Sequence, residues 1–287
     1  MKLSELFNLE PHGPDTFVGV GPRYPWGGLY GGQIVAQALR AAAMTVDPAQ
    51  QVHSLRAYFI RRGDHTEPIR FEVDRIRNGR SFSTRRVVAR QAVGAILNLE
   101  ASFQAKEESP DLDVVTMDRA LPGPEHLEST SWSPVFERAF VPEDLPSERW
   151  SEAFDRRWIP SSALTTTRDG DGRCAAWMRV TEDLPADDQL LHYCWLAYLT
   201  DDLATDAVRT AHPRFGGTNG STFTASLDHT IWFHRPMQAD EWHLHDFSSH
   251  GYVGARGLAI GHVFAQDGVH VATVAQEVLM RARDRQD

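Results

Sequence analysis

Residues 190–199 constrain this chain more than any other segment. Leu190, Tyr193, Cys194, Trp195, Leu196, Ala197, Tyr198 and Leu199 make the stretch apolar nearly all the way round. A helix facing water keeps one polar side, so a helix without one is enclosed by its own protein. A sheet packed flat against it would leave the opposite side wet, whereas an antiparallel sheet curled around it closes the gap. The helix-compatible pattern runs over residues 188–210.

The same plan occurs twice. Residues 31–45 form an alanine-rich segment with Ile34, Val35, Ala38, Leu39 and Ala42 at helical spacing. Strand patterns follow: Ile69, Phe71 and Val73 alternate with polar partners, residues 81–90 form another strand, and Leu97, Leu99, Ala101 and Phe103 alternate with Asn98, Glu100, Ser102 and Gln104. Asn78-Gly79 predicts a tight hairpin turn, because both residues accept positive φ. In the second half, Phe233-His234-Arg235 in a strand over 226–235 echoes Phe59-Ile60-Arg61 in a strand over 53–62. His250-Gly251 takes the place of Asn78-Gly79, and Asp267-Gly268 joins a strand over 258–265 to one over 269–280. A repeat of this kind predicts a duplicated domain. We divide the chain into domains at 1–105 and 151–287, joined by a linker at 106–150. Pro110, Pro122, Pro124, Pro134, Pro142 and Pro146 interrupt any long element there, so the linker is expected to run over the surface. The expected class is α+β, with two antiparallel sheets each curled around a central helix.

Composition removes several functions. A net charge of -10 argues against nonspecific binding to nucleic acid. The two cysteines, Cys174 and Cys194, cannot build a disulfide framework and match no structural zinc spacing, so a reducing, cytoplasmic setting is expected. The first residues carry no secretory signal pattern, no apolar run reaches the ~20 residues of a membrane span, and the final Arg-Gln-Asp is no peroxisomal or lipidation signal. A stable membrane anchor is therefore not expected. G-x-S-x-G, Walker, G-x-G-x-x-G and H-E-x-x-H motifs are all missing. His243 and His245 share a strand face that reads as solvated, and with His250 they lack a carboxylate or cysteine at fixed spacing. No metal site is expected there.

Several polar residues stand where chemistry could use them. Asp201 and Asp202 end the apolar helix; they are either solvated in a surface turn or buried for a purpose, since burying a carboxylate is costly. Gln276 shares its strand face with Ala272, Val274, Val278 and Met280, so it needs a buried partner. Ser226 shares parity with Asp228, Thr230 and Trp232, which says nothing about its burial. Gly31-Gly32-Gln33 opens the first helix, where free N–H groups attract negative charge and can stabilise an oxyanion; close helix–sheet packing explains the glycines equally well. Arg56, Arg61, Arg62, Arg70, Arg75, Arg77, Arg80, Arg85, Arg86 and Arg90 form a local basic excess; some suit phosphate groups, and most read as solvated strand faces.

Together these segments resemble the acyl-CoA thioesterase II family (TesB-like). The resemblance rests on Gly31 to Leu39, on Val52-His53-Ser54 with Tyr58 to Asp64, and on Asn78 to Val87. It continues in Asp228-His229-Thr230-Ile231-Trp232-Phe233-His234-Arg235-Pro236, Gln266-Asp267-Gly268 and Gln276-Glu277. It implies a double hotdog fold and hydrolysis of acyl-CoA to free fatty acid and coenzyme A. It implies no cofactor, coenzyme A being part of the substrate. It also implies a site in which an aspartate, a hydroxyl residue and a glutamine position water. The aspartate falls on Asp201, by its spacing from Tyr198 and to His212, with Asp202 the runner-up; the hydroxyl falls on Ser226 and the amide on Gln276. Ser226 stands where threonine is common, and Arg62 where proline is common. Fused halves supply the contact that single hotdogs gain by pairing, and the fold's habit of higher assembly makes a homo-oligomer the further partner to look for. A noncatalytic acyl-CoA or lipid-binding protein is the alternative on the same fold. A hydratase is disfavoured, because the neighbouring Asp228 and His229 point to opposite faces of their strand.

Overall fold

The computed structural model describes residues 5–24, 27–130, 154–164, 172–211 and 222–282. In the first half these form β1 (Glu10–Pro11), β2 (Thr16–Gly19), helix α1 (Gly31–Ala43), β3 (Gln50–Phe59), β4 (Ile69–Asn78), β5 (Phe82–Gln91) and β6 (Gly94–Ala105). The second half contributes β7 (Phe154–Trp158), β8 (Cys174–Val180), helices α2 (Gln189–Leu199) and α3 (Ala204–Ala211), and β9 (Thr222–Ser226). It ends with β10 (Asp228–Phe233), β11 (His243–Val253), β12 (Arg256–Ala265) and β13 (His270–Ala282).

The strands do not form two separate sheets. They join in one antiparallel sheet of order β1-β2-β4-β5-β6-β3-β10-β13-β12-β11-β8-β7, with β9 also on β13. The seam is β3 on β10, where Ala57 pairs with His229 and Leu55 with Ile231. Each half would otherwise present that strand as an open row of unpaired backbone groups, and pairing them removes both edges. Helices α1 and α2 pack against each other, α1 covers β3 to β6, and α3 lies on β11 and β12. From Tyr193 to Leu199 every residue of α2 is buried, with Trp195 and Tyr198 among the largest enclosed side chains. No helix among the described residues is long and apolar enough to cross a membrane.

Several local expectations need correction. The helix expected over 188–210 is two helices, α2 capped by Asp188 accepting from the Leu191 N–H, with a break between Leu199 and Ala204. Asn78-Gly79 does lie at a hairpin, but neither residue has positive φ. Asn78 instead holds the buried Arg85 through its Oδ1. His250-Gly251 lies within β11 beside a bulge, and the turn falls later, at Gly254-Ala255 with φ of 58° and 62°. Asp267-Gly268 turns as expected, with Gly268 at φ 92°. His243 and His245 are buried, not solvated, because odd-numbered residues of β11 face the core alongside Phe247. The described part of the linker is tied down. Val115, Met117, Leu121 and Leu127 pack on the outer cluster of Trp177, Leu244 and Phe264, while Asp111 and Asp113 both pair with Arg235. Residues 131–150 of that linker lie outside the described residues, as does His212.

Arg85 shows how a buried charge is accommodated without an acid. Its guanidinium donates to Thr45 Oγ1 and Thr45 O at 2.7 and 2.8 Å, to Arg77 O and Thr84 O at 2.8 and 3.0 Å, and to Asn78 Oδ1 at 2.7 Å. Thr45 follows the end of α1, where carbonyl groups lack helical partners and the helix dipole favours a cation. Arg85→Leu keeps the apolar bulk and strands those acceptors. We expect it to lower the unfolding free energy by about 2–4 kcal/mol, read from the urea midpoint.

Candidate active site

The break after α2 delivers Asp201 into the interior. Thr200 is the last residue held by the helix, its N–H bonding Leu196 O at 3.0 Å. Asp201 then turns inward and is 7% exposed, while Asp202 pairs with the buried Arg156 at 2.8 Å. The two aspartates thus separate: one pairs with a cation, and the other is met, among the described residues, only by neutral donors.

Those donors come from three elements. Gln276 Nε2 on β13 donates to Asp201 Oδ1 at 2.8 Å, Ser226 Oγ at the end of β9 donates to the same oxygen at 3.2 Å, and the Gly32 N–H in the first turn of α1 donates to the carboxylate. Gln276 Nε2 also reaches Ser226 Oγ at 2.8 Å. Burial is the largest influence on Asp201 and outweighs the three hydrogen bonds, so its pKa rises to about 7. Half of the carboxylate is therefore ionised near neutral pH, the condition in which one group can both take and return a proton.

Strand register explains how Ser226 joins Gln276. Ser226 pairs with Val278, which places it on the face of β13 that carries Gln276. Thr230 pairs with Ala275, on the other face. The interruption at Leu227 between β9 and β10 shifts parity by one residue, and a shift of one flips every side chain across the sheet. Ser226 therefore points inward although Asp228 and Trp232, of like parity, do not. His229 also points inward and is fully buried. Its Nδ1 meets Gln276 Oε1, and its Nε2 lies 3.1 Å from Thr200 Oγ1. Asp228 faces the other way and accepts from the Glu277 N–H at 2.7 Å.

The Gly31-Gly32-Gln33 segment meets the carboxylate directly. A Cβ on Gly31 would stand 2.5 Å from Asp201 Oδ2, and one on Gly32 would run into the Tyr198 carbonyl. Gly32 thus spends its N–H on the carboxylate. The Gln33 side chain is not free either: it accepts from Tyr24 OH at 2.8 Å and donates to Gln37 at 3.1 Å. Tyr30 OH donates to Tyr198 O at 3.0 Å, tying the two halves together beside the site. Among the arginines, Arg70, Arg75, Arg86 and Arg90 form ion pairs with acids of the same half, and Arg85 is buried.

The constellation occurs on one side of the duplication only. With Phe59 matched to Phe233 and Leu99 to Val274, the places of Ser226 and Gln276 are taken in the first half by Val52 and Ala101. Thr200 and His229 did not emerge as site groups from sequence, and the Gly32 N–H emerged as an oxyanion donor, not as a partner of Asp201. His229 left a signal, since it shares strand parity with the apolar Ile231 and Phe233. The Gly32 contact left none, because it joins residues far apart in the chain.

Similarity to known proteins agrees with this architecture. A family model described as the acyl-CoA thioesterase N-terminal domain matches residues 21–104, and one described as the acyl-CoA thioesterase C-terminal domain matches residues 124–280. The chain is 33% identical to human acyl-coenzyme A thioesterase 8, over 98% of this chain and 89% of that one. It is 34% identical to acyl-CoA thioesterase 2 of Haemophilus influenzae, over 88% and 87%. The solved acyl-CoA thioesterase II TesB2 of Mycobacterium marinum superposes with a TM-score of 0.83 at 35% identity, covering 99% of both chains. A hot dog fold protein of Alicyclobacillus acidocaldarius, at 21% identity and a TM-score of 0.75, shares the fold. The chain is thus a hotdog-fold protein of the thioesterase class. It belongs to the TesB-like acyl-CoA thioesterase II family.

Because Gly31 has no side chain to hold the carboxylate off, Gly31→Ala should displace Asp201 and lower turnover by roughly a hundredfold. The melting temperature is expected to fall only modestly, since the nearest atoms met are side-chain atoms, Asp201 Oδ2 at 2.5 Å and the Phe59 ring at 3.0 Å, and none is backbone. Steady-state kinetics beside thermal unfolding checks both halves of this expectation.

Proposed function

We propose that this acyl-CoA hydrolase works through general-base catalysis, with Asp201 as the base and Ser226 and Gln276 orienting the attacking water. In this reading ionised Asp201 takes a proton from water as its oxygen attacks the thioester carbonyl carbon. The carbonyl becomes a tetrahedral oxyanion. Its collapse breaks the carbon–sulfur bond, and the departing coenzyme A sulfur takes the proton back from Asp201. One water is consumed and one acid and one thiol are released, without a cofactor and without an acyl-enzyme.

The observation that carries this reading is the buried Asp201 carboxylate, met by donors from β13, β9 and α1 and, among the described residues, by no cation. A buried carboxylate left unpaired costs stability, so its retention calls for a use. Gly31, Gly32 and Gln33 are read as the substrate-binding edge: with the Gly32 N–H committed to Asp201, the remaining N-terminal N–H groups of α1 supply positive potential where the oxyanion forms. Asp202 is excluded as the base in this reading, because its carboxylate is engaged in an ion pair with the buried Arg156 at 2.8 Å. Each half is further read as a hotdog unit around its own helix, with the linker and the β3–β10 seam fixing the pair, and the protein as a cytoplasmic one.

Asp201→Asn should cut release of free thiol from acyl-CoA by about 10²–10⁴-fold, followed with a thiol reagent. Gln276→Ala should cost about a hundredfold. Ser226→Thr, which keeps the hydroxyl, should remain active. Unchanged turnover in folded Asp201→Asn would defeat the assignment. Stability should respond in the opposite sense. A folded-state pKa raised from 3.8 to about 7 means that the folded chain binds the proton more tightly. This residue's contribution therefore falls as pH rises through that window. Asp201→Asn escapes the penalty, so at pH 8 its melting temperature should equal or exceed that of the unsubstituted protein.

A further inference from the structure

We propose that His229 and Thr200 are positioning residues, which lock the Gln276 amide with its nitrogen turned toward Asp201. The inference rests on the assignment of Asp201 as the base and extends it one layer outward. Gln276 is fully buried, and the two ends of its amide differ little in size. Turned over, it would direct Oε1 at the Asp201 carboxylate, oxygen against oxygen, and lose both donations at 2.8 Å. The group on the far side, the His229 ring, holds the amide in the working orientation by meeting Oε1.

The ring can hold it only as one tautomer. His229 is fully buried, and burial lowers its pKa to about 4, so it is neutral in the working range and carries a single N–H. With the hydrogen on Nδ1 it donates to Gln276 Oε1. Nε2 is then an acceptor, and the Thr200 hydroxyl, 3.1 Å away, supplies the hydrogen by turning from its other acceptor, Ala197 O at 3.3 Å. The opposite tautomer would present a lone pair to Gln276 and favour the turned-over amide. Thr200 is also fully buried and is the residue directly before Asp201. A single chain of hydrogen bonds thus runs Thr200 to His229 to Gln276 to Asp201. Its direction is set by the ionised Asp201 carboxylate, which can only accept, and its far end, Thr200, is the residue next to Asp201 in sequence.

A histidine that merely fills the core would not affect the titration of Asp201, whereas a positioning histidine would. The Gln276 donation favours the ionised carboxylate, so its loss should raise the Asp201 pKa and move the acid limb of the kcat profile to higher pH. His229→Leu should lower kcat by roughly ten- to a hundredfold at unchanged KM and shift that limb upward. His229→Asn, whose side-chain N–H can stand near the Nδ1 position, should recover much of both. Thr200→Val should shift the limb in the same direction by less, and Thr200→Ser should leave it in place. Wild-type kcat and limb in folded His229→Leu would overturn the proposal, as would equal losses in the Leu and Asn variants. If His229→Leu does not fold, the Thr200 pair decides: identical profiles for Val and Ser overturn it, and a shift confined to Val supports it. Wild-type turnover in Asp201→Asn would instead refute the assignment of the base, whatever the His229 variants do.

Discussion

The buried Asp201 carboxylate, which meets no counter-ion among the described residues, is held by neutral donors drawn from both halves of the chain. Asp201 lies between the broken end of α2 and the first turn of α1, and its oxygens are met by an amide, a hydroxyl and a backbone N–H. Taking a charge out of water is expensive, and hydrogen bonds from neutral groups offset only part of that cost. The remainder appears as the raised pKa. Several features of the architecture follow from this need. The apolar helix must stop where it does, the opening helix must begin with glycine, and the halves must dock closely enough for Gly32 to touch a residue of the other half. The β3–β10 seam and the Tyr30–Tyr198 contact maintain that docking.

The duplication is symmetric in its strands and asymmetric in its buried polar groups. In the second half Gln276 pairs across β12 with Ala259. At the matching place in the first half, Ala101 pairs across β5 with Arg85. Within this strand pair each half thus buries one large polar side chain, on opposite members. Arg85 satisfies its hydrogens on backbone carbonyls and on Thr45 and Asn78, and closes the end of α1. Gln276 satisfies its own on a carboxylate, a serine and a histidine. One half has applied its buried polar position to stability, and the other has arranged its own around a titratable group.

Patterns set by local period were legible in the sequence. The enclosed α2, the repeat, the strand carrying Gln276 on an apolar face and the turn at Gly268 all follow from spacing or from a backbone that needs glycine. Features set by pairing between distant segments were not. The parity shift at Leu227 puts Ser226 and His229 on the same side, and simple alternation across 226–235 hides it. Asn78-Gly79 has the composition of a positive-φ turn, yet Asn78 serves Arg85. His243 and His245 face the core because β11 is covered by α3, which alternation of polar residues along one strand cannot reveal. The single sheet was missed for a related reason: an edge looks the same in sequence whether it ends a sheet or meets another half. As for Asp201 and Asp202, adjacent and alike in sequence, only tertiary contacts separate a carboxylate paired with arginine from one left to neutral donors.

The account depends on Asp201 being a weak acid in the folded protein. Titration of its side-chain carboxyl by carbon-13 NMR, assigned by the signal that disappears in Asp201→Asn, measures this without reference to turnover. The account predicts a midpoint near pH 7. A midpoint in the ordinary aspartate range, about 4, would mean that the carboxylate is solvated or paired with a cation, and would contradict it.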